Sequence, residues 1–204
     1  AELMPPDEFA VQDGFVSIGL TKSYTLTEEG DSDFVCIAYD DIHSIEYFGK
    51  PIDAYYKKDG DSFADVCRMA LTEYGQIQNR VDVFEADLLA RANRLGSKYA
   101  DIISLAYRQA IAAHKLTWDG EIQFFSKENY SNGCIATVDV TYPSIPLFLL
   151  YNPDLVCGML NPIFKYASSG AWPFPYAPHD VGQYPLANGQ VYGLDRSTDT
   201  LQPD

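Results

Sequence analysis

Lys127, Glu128, Asn132 and Asp139 fall close together in the stretch FSKENYSNGCIATVDVTYP, Phe125 to Pro143. A carboxylate such as Glu128 suits the role of general base, Lys127 or Asn132 can stabilise an oxyanion, and Asp139 can orient a partner or bind an ammonium group. Ser126, Ser131 and Thr137 add candidate nucleophiles, although no SxxK or GxSxG frames them. Cys134 needs a neighbouring His before its thiolate fraction rises. The plain alternative is a loop tied together by its own side-chain to backbone hydrogen bonds.

Two further clusters carry chemistry-bearing groups. In PHDVGQYP, His179 and Asp180 offer an acid/base pair. Adjacent residues seldom face the same way, so a dyad made from these two alone is disfavoured; each can still project into a shared cleft, and Asp180 beside Gly182 also fits a turn. In YDDIHSIEYFGK, Asp40 and Asp41 stand with His43 and Glu46 where paired carboxylates can split their pKa values or bind a ligand. Asp as a helix cap explains the same pattern. His114 ends a mostly apolar helical pattern and reads as a structural histidine.

These groups need elements to position them. FVSIGLTKSYTL alternates and is β-rich, EEGDSD supplies turn residues, and FVCIAYD reads as a second strand. From Ser62 to Arg94 apolar residues recur at three and four, which predicts one long amphipathic helix capped by Asp61 or Ser62. Gly96 ends it, and a second helix over Ser97 to His114 completes an αα-hairpin. KLTWDGEIQFF predicts a β-hairpin closed by a type I′ turn at Asp119-Gly120. Asn132-Gly133 predicts an irregular loop. A short helix around Ser144 to Tyr151 follows, then another from Pro153 to about Ser168, capped by Asn152 and ended by Gly170. The Pro- and Gly-punctuated segment after it reads as extended surface chain.

Bulk properties narrow the chemistry. The 204 residues carry 14 basic and 29 acidic side chains for a net charge of −15, which argues against nucleic acid because phosphate binding needs clustered Lys and Arg. No stretch approaches the roughly 20 apolar residues of a membrane span. Cys36, Cys67, Cys134 and Cys157 show no CxxC spacing and no His at ligand spacing, so no metal site is expected. Asn129-Tyr130-Ser131 is a glycosylation sequon, relevant only on a eukaryotic secretory route. The chain presents no basic-then-apolar leader.

Taken together, YDDIHSIEYFGK, YRQAIAAHK, FSKENYSNGCIATVDVTYPS, PLFLLYNPDLVCGMLNPIFKY and PHDVGQYPLANGQ resemble the glutaminase A family of bacteria and fungi, from about Phe34 to Tyr192. The resemblance implies a mainly α fold with a small β portion of short antiparallel strands: residues 1–40 as the end of an N-terminal β-rich domain, and 41–204 as the first part of an (α/α) six-hairpin toroid like that of glycoside hydrolases. The implied reaction is hydrolysis of L-glutamine to L-glutamate and ammonia, without a cofactor, by a protein expected to be secreted or periplasmic. Its expected partners are a small-molecule amide and the remaining part of the toroid. From the residue types themselves, Glu128, Asp139, His179 and Asp180 are the catalytic candidates for that reaction, and Lys127, Asn132, Asp40 and Asp41 the substrate-binding ones. A carbohydrate-active hydrolase, with two carboxylates and aromatic platforms from Trp118 and Trp172, and a noncatalytic interaction domain are the competing readings.

Overall fold

The structure, a computed structural model, describes residues 33–191 without interruption, together with 21–25, 28, 30 and the strand residues 11–12 and 15–16. The chain divides into two compact units, Ala1–Ile37 and Ala38–Asp204. In the first, β1 (Val11–Gln12) pairs antiparallel with β2 (Phe15–Val16), and Asp33 accepts hydrogen bonds from Lys22 and from Tyr24. The strand expected through FVCIAYD is not formed: residues 34–40 lie outside any strand, and the side chains of 34–39 are exposed.

The second unit is built on a five-stranded sheet drawn from distant parts of the sequence. Its strands are β3 (Ile45–Tyr47), β4 (Lys50–Ala54), β5 (His114–Trp118), β6 (Ile122–Ser126) and β7 (Leu186–Ala187), ordered β6-β5-β4-β3-β7. Neighbours pair antiparallel except β7, which lies parallel to β3. The β3–β4 connection is a two-residue turn, Phe48-Gly49, with φ of 47° and 78°. Positive φ at both central residues is the type I′ signature. The hairpin expected at Asp119-Gly120 forms, but with Trp118 opposite Ile122 its loop has a third residue, and only Gly120 takes positive φ. The type I′ turn therefore sits at Phe48-Gly49, not at Asp119-Gly120.

The helices follow the predicted pattern with three corrections. The stretch expected as one helix divides at Glu73 into α1 (Phe63–Thr72) and α2 (Tyr74–Ala92), and Asn93–Leu95 ends it as a 3-10 turn. Thr72 Oγ1 donates back to the carbonyls of Arg68 and Met69, a competition with the backbone ladder that bends helices. α1 starts at the expected cap, with Ser62 and Asp65 exchanging hydrogen bonds in a capping box. α3 (Ser97–Ala112) stops short of His114, which opens β5 instead. α4 (Val138–Tyr151) begins a turn and a half before the expected Ser144 and carries Pro143 and Pro146 inside it, the residues that made its first half read as loop. α5 (Pro153–Ser168) has the expected Asn152 cap, which accepts from Asp154 N at 3.2 Å.

α5 lies across β6, and the core fills the space between helix and sheet. Ile45, Tyr47, Ile52, Phe125, Ile135, Ile163, Tyr166, Trp172 and Val181 form its centre, and Phe124, Phe148, Val156 and Met159 a second cluster. Gly158 permits the close approach, since a Cβ there would stand 2.6 Å from Ile122 Cγ2. On α2 and α3, by contrast, Val83, Ile102 and Leu105 are exposed. Among the described residues no helix is long and apolar enough to cross a membrane.

Candidate active site

The backbone between β6 and α4 is shaped by its own polar side chains. Lys127 pairs with Ile135 in an antiparallel bridge, Glu128 N donates to Cys134 O at 2.8 Å, and Asn132 Oδ1 accepts from Cys134 N at 2.8 Å beside Gly133 at φ 77°. The Asn-Gly signal thus closes a tight loop whose two arms return to the core. Cys134, Ile135, Ala136 and Thr137 are buried there, and Ala136 takes φ 50°, a conformation costly for a residue with a Cβ.

This loop is then stitched to the segment after α5. Ile135 exchanges backbone hydrogen bonds with the Val181–Gly182 segment, at 2.9 and 3.1 Å, and Val138 N donates to His179 O at 2.9 Å. Gln190 Oε1 accepts from His179 N at 2.7 Å. Gly182 sits at φ 145°, where a Cβ would stand 1.9 Å from Leu186 O, so only glycine fits.

The result brings three of the expected catalytic residues together. Glu128, Asp139 and His179 each place a ligand-type atom within 4.8 Å of the other two. Glu128 accepts from Ser131 Oγ and, at 3.0 Å, from Thr137 Oγ1. Thr137 occupies the N-cap position of α4 yet makes no side-chain cap bond; its hydroxyl serves Glu128 instead. Asp139 lies in the first turn of α4, where the positive end of the helix dipole favours a carboxylate. Ser131 and Thr137, read from sequence as nucleophile candidates, are thus donors that orient Glu128.

Asp180 has a different place. It is fully buried, and its Oδ1 accepts from Gly182 N at 3.0 Å and Val191 N at 3.1 Å while Oδ2 lies 3.0 Å from His179 Nδ1. A buried carboxylate takes its proton partners from the surroundings, so Nδ1 carries the hydrogen and the lone pair of His179 is on Nε2. The adjacent pair does form a dyad, contrary to the expectation for neighbours in sequence. Asp180 positions His179 and has no exposed atom to offer a substrate.

The substrate-binding candidates divide. Lys127 and Glu128 are consecutive in an extended segment and so face opposite sides. Lys127 Nζ lies 5.3 Å from the Tyr184 ring centre, and Tyr184 Oη donates to Asp41, which also pairs with Lys115 and accepts from Ser44 Oγ at 2.9 Å. Burial, then the charge of Lys115, lowers the pKa of Lys127. Burial raises that of Asp41, but the Lys115 and Ser44 hydrogen bonds outweigh it and the net direction is down. Asp40 binds Tyr56 Oη at 2.6 Å and Lys57. Asn132 is consumed by its turn, and its carbonyl accepts from Gln183 Nε2. Asp40, Asp41 and Asn132 are therefore engaged in fold contacts.

Two other sequence candidates resolve as structure. Burial, followed by the charges of Asp180 and Glu128, pushes the Cys134 thiol up to about 12, which disqualifies it as a nucleophile. His114 is buried, stacks on Phe124 at 4.4 Å and lies 2.6 Å from Ala110 O through Nδ1. A cavity of about 460 Å³ between α2 and α3 is lined mainly by apolar groups such as Ile77, Val81, Phe84 and Leu88, and holds none of the convergent groups.

Residues 96–200 match the glutaminase A six helical-hairpin domain. The chain belongs to that family. Its relatives include a protein named Glutaminase A from Aspergillus oryzae, 44% identical over 102 residues, which is 49% of this chain and 15% of the relative. A protein named Probable glutaminase from Arthroderma benhamiae is 38% identical over 112 residues, 52% of this chain and 13% of the relative. The matched region is thus a small part of these glutaminase A relatives. No solved structure matches the chain. The family match begins at the α3 connection and includes Glu128, Asp139, His179 and Asp180.

Sequence reasoning reached the trio by residue type and loop chemistry. It did not find Gln190, whose amide holds the His179 backbone, because a Gln near a polar terminus carries no local signal.

Proposed function

We propose that this chain carries part of the active centre of a hydrolase acting on the side-chain amide of L-glutamine. The observation that supports the reading most is the convergence of Glu128, Asp139 and His179 from three separate segments. Amide hydrolysis needs a base to activate water and an acid to protonate the leaving ammonia. Glu128, held by two hydroxyl donors, takes the proton of the attacking water. His179, set in one tautomer by Asp180, accepts that proton from Glu128 on the Nε2 lone pair and returns it to the departing nitrogen. Exposed Asp139 pairs with the developing positive charge on that nitrogen. The full activity belongs to a protein of the length of the fungal relatives, with the six-hairpin architecture closing around these residues. A carbohydrate-active role draws on the aromatic residues, but Trp172 is buried in the core.

The test is ammonia release from L-glutamine by the full-length protein. Glu128→Gln is expected to lower kcat by on the order of 10² to 10⁴, the usual contribution of a positioned general base. Asp154→Asn, on the cap of α5, is the control. Retention of most activity in Glu128→Gln would sink the assignment.

A further inference from the structure

The geometry of the trio fits more than a proton-transfer set. Two carboxylates and an imidazole approach one another within 4.8 Å, and among the described residues neither Glu128 nor Asp139 forms an ion pair with Lys or Arg. The nearest chain amine in sequence, Lys127, faces the other side, toward Tyr184. With Asp180 behind His179, three carboxylates share one neighbourhood, and their charge exceeds the roughly half-unit positive charge of the α4 terminus.

The groups behind the trio are arranged as metal ligands are usually supported. A ligating histidine commonly donates its other ring nitrogen to a carboxylate, which fixes the tautomer and raises the basicity of the ligating nitrogen. Asp180, fully buried, does this for His179 at 3.0 Å. Ser131 and Thr137 hydroxyls hold the Glu128 carboxylate in the same manner. The three donors come from the β6–α4 loop, the first turn of α4 and the segment after α5, all tied to a buried backbone strip at 134–137 and 180–182.

We propose that Glu128, Asp139 and His179 hold a divalent transition-metal ion, zinc or manganese, with Asp180 orienting the imidazole. One nitrogen and two oxygens form a mixed donor set that suits these ions better than magnesium or calcium, which favour all-oxygen shells. Metal to ligand distances of about 2.0–2.2 Å require donors about 3.3–3.6 Å apart in a tetrahedral site. The three donors, within 4.8 Å of one another, would have to draw closer to reach this spacing, and exposed Asp139 has room to move. With an ion bound, Glu128, Asp139 and His179 would act as its ligands in place of the proton-carrying and charge-pairing roles given above, and the ion would supply the activation of water; the inference concerns the same site as the hydrolase reading but does not depend on the substrate.

The experiment uses the tag-free chain, stripped with chelator, in equilibrium dialysis against Zn²⁺ or Mn²⁺. Elemental analysis reads bound zinc, and electron paramagnetic resonance reads free against bound manganese. One ion per chain is expected. Asp139→Asn and His179→Gln should each weaken binding at least about tenfold, and Asp180→Asn by about 10- to 100-fold, the usual effect of losing an orienting partner. Asp101→Asn, an exposed acid on α3, should leave binding unchanged. No saturable binding, or binding that neither Asp139→Asn nor His179→Gln weakens, would overturn the proposal. Ion binding without ammonia release from L-glutamine by the full-length protein would leave the metal site standing and sink the hydrolase reading. Ammonia release without ion binding would do the reverse.

Discussion

Asp180→Asn separates the fold from the function at a single atom. Asparagine keeps an oxygen where Oδ1 accepts from Gly182 N and Val191 N, at 3.0 and 3.1 Å. It puts an amide NH₂ where Oδ2 met His179 Nδ1 at 3.0 Å. A neutral imidazole can answer by moving its proton to Nε2 and accepting at Nδ1. All donors then stay paired, and the loss is the difference between charge-assisted and neutral hydrogen bonds, about 1–2 kcal/mol. Asp180→Ala instead orphans three donors in a buried position and should cost about 3–5 kcal/mol. Function should reverse the ranking of concern: the asparagine variant folds, yet its Nε2 is now a donor where the site needs a lone pair, and ammonia release should fall by on the order of 10² or more. Urea unfolding gives the stability arm. Nitrogen NMR of the His179 ring gives the tautomer directly, with Nδ1–H expected in the unmodified chain and Nε2–H in the variant. An Nε2–H ring in the unmodified chain, or full activity with an unchanged tautomer in Asp180→Asn, would refute the reasoning.

Other outcomes follow from the packing. Gly158→Ala forces a methyl to 2.6 Å from Ile122 Cγ2 and 3.3 Å from Ile122 O; overpacking of about 1–3 kcal/mol set against the roughly 1 kcal/mol of helix propensity gained means denaturant unfolding should report a net loss of up to about 2 kcal/mol. Cys134 is fully buried and Cys157 exposed, so brief iodoacetamide treatment at pH 8 should label Cys157 and spare Cys134 until the protein is denatured.

What could be read from the sequence was local in origin. The Ser62 cap, the Asn152-Pro153 start of α5, the 114–126 hairpin and the Asn132-Gly133 turn each rest on contacts between near neighbours, and each is present. The failures are where a distant partner decides. Phe34 to Tyr39 has strand composition but lies outside the described strands, while SIEYFGKPIDA, read only as a junction, becomes two strands because β5 and β7 arrive to flank it. α4 is held helical through Pro143 and Pro146 by packing of Phe148 on Phe124 and by packing against α5. In the site, residue types singled out Glu128, Asp139 and His179, which the fold brings within 4.8 Å of one another. The division of Lys127 from Glu128, and the burial of Asp180, depend on strand alternation and on a pairing across the whole α4–α5 hairpin, neither of which composition encodes.

That pairing, Ile135 against Val181 and Gly182, also sets the order in which the protein matures. In a growing chain Glu128 and Asp139 emerge first and remain two carboxylates on a loop and a helix end. His179 reaches them only after α4 and α5 have folded and docked, because its segment lies beyond both helices and is held by non-local bonds. Closing so long a loop is entropically slow and is rewarded only when the final contacts form. A complete site therefore requires that the helical hairpin and the sheet have already found each other.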